Sequence, residues 1–395
     1  MNRRILTFTV LILIALVALS FAFVRKGERA LVDFKVYYQA GERFLAGEGL
    51  YRASDGHYQF KYLPVSAALF APLACLPYQA ARFVWMLLVA AALVGVVWLS
   101  WRLLPRDCSP PRWVVVVTVL VMLKYYLREL ELGQANAVVV VLLLAALAYL
   151  RNTRERLSGA LFAVAIALKP YALIFLPYLV LKKLPRVWTT CCAVTIVLLL
   201  LPIFRYGPAA GWTLLGDWWH TVSGSTPQLL TNPDNVSVFG ALAKWLGPDQ
   251  LGVFLAAGGS ALAIGGFFLW AMFRPLPVGD GESAWFATFT ESAVLLVLIP
   301  LLSPQGWDYV FLGATPGIML LLSRFGNFGG VRKGLSVAVL AVVGLSIYDL
   351  LGRSLYRAFM DASILTVCFV VIVGLLIQLR AESKTVDKTA PGSVP

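Results

Sequence analysis

Long apolar stretches, separated by short clusters of charge, dominate this chain. A run of about 17–25 apolar residues suits a membrane-crossing helix. The pattern places such runs at 5–24, 80–102, 113–128, 134–150, 157–169, 170–183, 188–205, 250–273, 284–302, 308–323, 334–352 and 360–379. Backbone groups in lipid must find partners within their own segment, so helices are the expected form. No alternating pattern of barrel strands runs through the sequence. The reading is an all-α integral membrane protein, a bundle of about 12 transmembrane helices. The pieces 157–169 and 170–183 are short and meet at Lys169-Pro170. Proline lacks an N–H and disfavours helix at the preceding residue, so a break is expected there.

Two apolar stretches do not fit as spans. Residues 62–76 are too short and carry Pro64 and Pro72; they read as an interfacial or half-inserted helix, and 236–246 is treated in the same way. The N-terminus, with Arg3, Arg4, an apolar core and Ser20-Phe21-Ala22, also resembles a signal peptide. The length of its apolar run favours a retained first span. Residues 1–380 form one transmembrane domain in this reading, with 25–79 as an outer loop bearing interfacial helices and 381–395 as a disordered cytoplasmic tail.

Composition sharpens the class. Of 395 residues, 60% are hydrophobic and 13% charged, about half the charge of an ordinary soluble domain. That excludes a soluble globular enzyme, a disordered protein and a disulfide scaffold. The net charge is +13, which suits cationic flanks holding helix ends in the cytoplasm and is not by itself a sign of nucleic acid. With Arg3 and Arg4 inside, the inner loops collect 18 of the 33 cations. Seven of the other fifteen lie in 25–61, the one segment that breaks the positive-inside pattern. Cys75, Cys108, Cys191, Cys192 and Cys368 show no zinc spacing and no outer pair. There is no P-loop, GxGxxG or HExxH, and only two histidines. No metal site or cofactor is indicated, although a phosphate-bearing substrate could recruit a divalent cation.

Candidate chemistry gathers on the outer side. In the first loop, Val36, Tyr37, Ala40, Phe44 and Leu45 recur at three- and four-residue spacing, as in an amphipathic helix lying on a membrane, with Gly47 and Gly49 ending it. Asp33 at its start reads either as a helix cap or as a functional carboxylate. Lys35, Arg52 and Lys61 lie on the same side; they suit a lipid phosphate specifically or anionic lipid in general. Glu129 to Asn136 enters the fourth span, where Gln134 and Asn136 read as caps or as sugar contacts. Lys169 at the helix break is a functional candidate or a snorkelling cation. The loop 206–235 holds Trp212, Trp218, Trp219, His220 and Asn235; its tryptophans read as an interfacial belt or as sugar platforms. Ser303, Trp307 and Asp308 form an outer turn, and Glu291 lies mid-span.

Five motifs together carry a resemblance. They are Asp33-Phe34-x-Val36-Tyr37-Tyr38-x-Ala40-Gly41 with Gly47-x-Gly49-Leu50-Tyr51; Phe60-Lys61-Tyr62-Leu63-Pro64; Gly133-Gln134-x-Asn136; Lys169-Pro170; and Ser303-Pro304-x-x-Trp307. In this order the set resembles glycosyltransferase family 87, of the GT-C superfamily. It departs in having Asp308-Tyr309 where histidines often follow the last turn, and Leu63-Pro64 where a proline pair is common.

The resemblance implies a GT-C-like fold in a cell (plasma or inner) membrane with its active site on the periplasmic or extracellular face. It implies an inverting transfer of a hexose, mannose or in some members arabinofuranose, from a polyprenyl phosphate to a glycolipid or glycan acceptor. Asp33 corresponds to the expected general base and Lys61 to a lysine near the donor phosphate; Lys169 and Arg52 are candidate helpers at that phosphate. Tyr37, Tyr62, Gln134, Asn136, Asn235, Ser303, Trp307 and Asp308 are candidates for binding substrate. Partners are then the lipid-linked donor, the acceptor and membrane lipids, with no nucleic acid. The competing class is a secondary transporter or lipid flippase, which many spans and a broken helix also suit, although no pair of related halves is visible.

Overall fold

The computed structural model describes residues 31–108, 111–247, 250–273 and 281–386. The expected first span at 5–24, with Arg3 and Arg4, lies outside them. Among the described residues the architecture is helical, with one isolated β-bridge between Asn235 and Trp307. Among the described residues five helices are long and apolar enough to cross a membrane: Tyr78–Leu103, Pro185–Tyr206, Leu251–Trp270, Glu282–Leu302 and Ile364–Glu382. Two bent pairs raise this to seven if each is one span. The bent pairs are Trp113–Leu132 with Asn136–Arg151, at 119°, and Gly330–Leu345 with Tyr348–Asp361, at 101°.

Contacts divide the chain into two compact units, one of residues 1–99 and 126–225, the other of 100–125 and 226–395. The first begins with α1 (Val32–Ala46), α2 (Pro64–Ala74) and α3 (Tyr78–Leu103). The residues on which these helices pack are aromatic. Phe34 stacks on Trp85 at 5.7 Å and Tyr37 on Phe70 at 4.6 Å, while the Tyr38 hydroxyl donates to the Leu76 carbonyl at 2.8 Å. Gly41 lets the two helices meet: a Cβ there would stand 3.0 Å from the Phe70 carbonyl oxygen. Gly47, at φ 73°, ends α1 in the left-handed conformation that glycine adopts without penalty.

The same unit continues through the end of α4 (Trp113–Leu132), α5 (Asn136–Arg151), α6 (Glu155–Leu168), α7 (Phe175–Leu181), α8 (Pro185–Tyr206) and α9 (Pro208–Leu230). The expected break at Lys169-Pro170 is present; Lys169 is extended, at φ −144° and ψ 116°, between α6 and a 3-10 turn over Pro170–Ile174. The segment 206–235, read as a loop, is mostly the helix α9. Pro208 suits a first helical turn, and Leu215 and Trp218 give α9 an apolar face that packs with Leu63 and Val65.

The second unit holds α10 (Val238–Leu246), α11 (Gln250–Phe273), α12 (Glu282–Leu302), α13 (Thr315–Ser323), α14 (Gly330–Leu345), α15 (Tyr348–Asp361) and α16 (Ile364–Val386). Its interior pairs α12 with α16, where the buried Arg380 Nε donates to Glu291 Oε1 at 2.9 Å. This supplies the partner that mid-span Glu291 lacks in the sequence. The expected span 334–352 is not one straight helix: α14 ends at Leu345 and α15 turns away as an amphipathic segment. The last helix runs to Val386, six residues into the segment read as a tail.

Candidate active site

The site in the first unit is assembled around Gly133. Helix α4 ends there, with Gly133 at φ 69° and the amides of Gly133 and Gln134 both donating to the Glu129 carbonyl, at 3.0 and 3.1 Å. Trp85 Nε1 holds the Gly133 carbonyl at 2.7 Å. The start of α1 lies against this turn: Leu31 N–H donates to the Glu131 carbonyl at 2.8 Å, and a Cβ on Gly133 would come within 2.8 Å of Leu31 Cδ2. Only glycine provides both the left-handed backbone and the close approach. The result is that Gln134, a hundred residues along the chain, sits beside Asp33.

Asp33 is in the first turn of α1, but the capping position is Leu31 and no side chain caps the helix. The carboxylate instead accepts from Gln134 Nε2 at 2.7 Å through Oδ2. Its Oδ1 has no hydrogen-bond partner among the described residues. Burial pushes the Asp33 carboxyl above the usual carboxylate range; the Gln134 hydrogen bond and the charges of Lys169, Arg128 and His57 oppose that rise without cancelling it.

From Gln134 the polar contacts continue inward. Gln134 Oε1 accepts from the Tyr37 hydroxyl at 2.6 Å and from Lys169 Nζ at 2.8 Å. Lys169 Nζ also donates to Asn136 Oδ1 at 2.8 Å, which the Tyr171 hydroxyl reaches at 2.9 Å. Asn136 Nδ2 in turn donates to Glu129 Oε2 at 2.7 Å, and Glu129 Oε1 accepts the Ala137 N–H at 2.8 Å. Asp33, Gln134, Lys169, Asn136 and Glu129 thus form one string in which two amides separate an ammonium from two carboxylates. Lys169 is 5% exposed and Glu129 is fully buried. The Tyr62 hydroxyl lies 3.0 Å from that of Tyr37, and Lys169 Nζ is 5.1 Å from the Tyr62 ring centroid. Lys169 is therefore neither snorkelling nor turned outward for a phosphate; two of its three protons are held by amides.

The remaining cations sort differently from one another. Arg52 pairs with Glu48 and donates from Nε to the Gly49 carbonyl at 3.1 Å, so its guanidinium is turned to its own loop. Arg43 grips Asp55 through two hydrogen bonds, at 2.5 and 2.8 Å, which holds the Asp55 carboxyl below its ordinary range. Lys35 is exposed. Lys61 is half-buried, and its Nζ has no hydrogen-bond or ion-pair partner among the described residues; burial pulls its ammonium below the usual lysine range. Trp218 Nε1 fixes the Lys61 carbonyl at 3.2 Å, and the Tyr51 hydroxyl fixes that of Tyr62 at 2.6 Å. A half-buried ammonium on a pinned backbone, with no acceptor of its own, is suited to receiving an anion.

The other predicted residues belong to the second unit. Asn235, 1% exposed, donates to the Leu229 and Pro304 carbonyls at 3.0 and 2.9 Å and accepts from the N–H and hydroxyl of Ser237 at 3.0 and 2.7 Å. All four of its hydrogen-bonding positions are taken by the chain, so its role is to hold the turn. Gly306 fits there because a Cβ would lie 2.0 Å from the Pro300 carbonyl oxygen. Ser303 follows α12, and Trp307 precedes a 3-10 helix over Asp308–Ala314. Asp308 is nearly buried and its Oδ1 accepts the Tyr309 N–H at 2.8 Å.

Sequence reasoning left Glu129, Tyr171 and Trp218 out of the site. Glu129 carried a signal: an acid at the end of an apolar segment, seven residues before Asn136 across a glycine. Tyr171 carried none that distinguishes it from the chain's many other aromatic residues, while Trp218, open as belt or sugar platform, instead pins the Lys61 carbonyl.

The chain has known relatives. Over 337 residues it is 26% identical to the polyprenol-phosphate-mannose-dependent alpha-(1-2)-phosphatidylinositol mannoside mannosyltransferase of Mycobacterium tuberculosis, covering 81% of this chain and 72% of that one. It is 32% identical over 166 residues to the corresponding pentamannoside mannosyltransferase of Mycolicibacterium smegmatis, 40% of each chain. An alpha-(1->3)-arabinofuranosyltransferase of Mycobacterium tuberculosis is 24% identical over 299 residues, 73% of this chain and 65% of that one. The sequence model of glycosyltransferase family 87 matches residues 60–304. This helical, multi-pass membrane protein belongs to glycosyltransferase family 87.

Proposed function

We propose that the protein transfers mannose from a polyprenyl phosphate to a hydroxyl of a glycolipid or glycan acceptor, with inversion at the anomeric carbon. The observation that carries this reading is the state of Asp33: one oxygen held by Gln134 at 2.7 Å, the other without a partner among the described residues, on a half-buried carboxyl of raised proton affinity. That is the arrangement a general base needs. Asp33 Oδ1 takes the acceptor hydroxyl's proton as its oxygen attacks the anomeric carbon. The bond from that carbon to the phosphate oxygen breaks, and polyprenyl phosphate leaves with the electron pair. A phosphate leaving group needs its growing charge met more than it needs a proton. Lys61 meets that charge, with Arg52 available once it is drawn from Glu48, and no metal enters the scheme. Lys169 supplies a buried counter-charge to Asp33 through Gln134. Tyr37 and Tyr62 border the base as sugar contacts. Asp33 is the one carboxylate at the proposed reacting centre among the described residues, which supports inversion.

The proposed setting is a plasma or inner membrane, a GT-C-like bundle of about 12 spans, and an active site on the outer face, with α1 and α2 lying at the interface. The inner-loop bias of the cations outside 25–61 supports that placement, while within the first loop Arg43 and Arg52 are held by Asp55 and Glu48. The test is transfer of radiolabelled mannose from polyprenyl phosphate by the purified protein in detergent, with an arabinofuranosyl donor in parallel. Transfer of mannose supports the reading. Transfer of arabinose alone overturns the sugar, and no transfer from either donor overturns the function in favour of transport.

A further inference from the structure

A fully buried Glu129 is costly and needs a reason. One of its oxygens takes the Ala137 N–H near the start of α5. Capping that helix does not require a charge: a hydroxyl at the capping position, Ala135, would do so from the adjacent residue. Burying an unneeded carboxylate would be unfavourable. What a charge does here, and a hydroxyl would not, is act along the string. Glu129 can only accept, so Asn136 must turn Nδ2 to it and Oδ1 to Lys169. Asp33 can only accept as well, so Gln134 must turn Nε2 to it and Oε1 to Lys169. The ammonium is thus held between two amide oxygens whose polarity is set from both ends. The groups that face it are Asp33 and Tyr37 on α1, Tyr62 before α2, Glu129 and the two amides at the α4–α5 turn, and Tyr171 after the α6 break.

We infer that Glu129 is a positioning residue for the transfer reaction, keeping Lys169 charged and thereby keeping Gln134 aimed at the base. The inference rests on the proposed role of Asp33. Burial favours loss of the Lys169 proton and the two carboxylates oppose that loss; with one removed the proton is released at lower pH. Glu129 lies one amide and two hydrogen bonds away, of 2.8 and 2.7 Å. At roughly 7 Å and an effective dielectric of about 20, its loss moves the basic limb of the pH profile down by about one to two pH units.

The experiment compares wild type, Glu129→Gln and the double variant Glu129→Gln/Ala135→Ser, in which the new hydroxyl restores a cap to α5. Initial rates of mannose transfer and melting temperature are both followed across pH. The expected result is a kcat of Glu129→Gln reduced about tenfold or more, a basic limb displaced downward in both readouts, and a donor KM near the wild-type value. In the double variant the melting temperature recovers while the limb stays displaced. An unmoved limb in Glu129→Gln, or one that Ala135→Ser restores, overturns the inference and leaves Glu129 a helix cap. Should the wild type transfer no sugar, the proposed function fails, and the melting profile alone still reads whether Glu129 holds the proton on Lys169.

Discussion

Asp33→Asn is the change that separates catalysis from construction. Asparagine has the same shape, and its carbonyl oxygen can accept from Gln134 Nε2 in place of Oδ2 at 2.7 Å. The string to Lys169 therefore stays joined, while the proton acceptor is gone. Loss of a general base costs about 10²–10⁴-fold, or about 2.7–5.5 kcal/mol in the barrier at 1.36 kcal/mol per decade. Stability should move the other way. Burial raises the folded carboxyl above its unfolded value, so between those two values the folded state holds more protons than the unfolded one. Stability then falls as pH rises through that window, and above it the full penalty of an ionised Asp33 remains. Asparagine has no such penalty, so at neutral pH the variant melts at or above the wild-type temperature. The wild-type acid limb in kcat/KM should lie above the ordinary carboxylate range for the same reason, activity being lost as pH falls through the raised value. The assay is transfer from labelled polyprenyl-phosphate mannose, with melting followed in the same detergent. An Asp33→Asn protein that turns over like wild type, or one whose activity loss is accompanied by a lowered Tm, refutes the reasoning.

Lys61→Ala should weaken donor binding by about 10–100-fold, the value of a charge-assisted contact of about 1.5–3 kcal/mol, with a smaller effect on kcat; donor titration at fixed acceptor reads this, and an unchanged KM removes Lys61 from the phosphate. Gly133→Ala should lower Tm: the left-handed backbone alone costs about 1–2 kcal/mol, and the new Cβ meets Leu31 Cδ2 at 2.8 Å. Glu291→Ala removes a carboxylate that Arg380 is buried against and should destabilise by about 3–5 kcal/mol, whereas Glu291→Leu with Arg380→Met should recover most of it; thermal melting of the single and double variants decides.

Local signals were legible where one residue type has one physical consequence. Gly47 ends α1, and Lys169-Pro170 breaks the helix pair, because left-handed backbone and the missing proline N–H leave few alternatives. Asp33, Gln134, Asn136 and Lys169 were all visible as polar residues in an apolar chain, and the structure joins them. Their order within the string was not legible. Which amide faces which charge depends on contacts 101 residues apart between Asp33 and Gln134 and 35 between Gln134 and Lys169. Helix α9 was missed because its glycines and prolines suggest turns, while the apolar face that holds it against Leu63 comes from tertiary packing. Asn235 was read as a sugar ligand because an exposed amide and a buried clamp look alike until its four partners are known.

The aromatic bed beneath α1 has a consequence for how the enzyme meets its substrates. Phe34, Tyr37 and Tyr38 lock one face of the helix against α2 and α3, and Arg205 Nε ties its far end through the Phe44 and Leu45 carbonyls, both at 3.1 Å. A carboxylate on so firmly seated a segment does not travel. On the proposed reading of Asp33 as base and of lipid-linked substrates, alignment falls to the incoming molecules, whose pliant hydrocarbon lets them tilt and sink within the bilayer until a hydroxyl reaches the waiting oxygen.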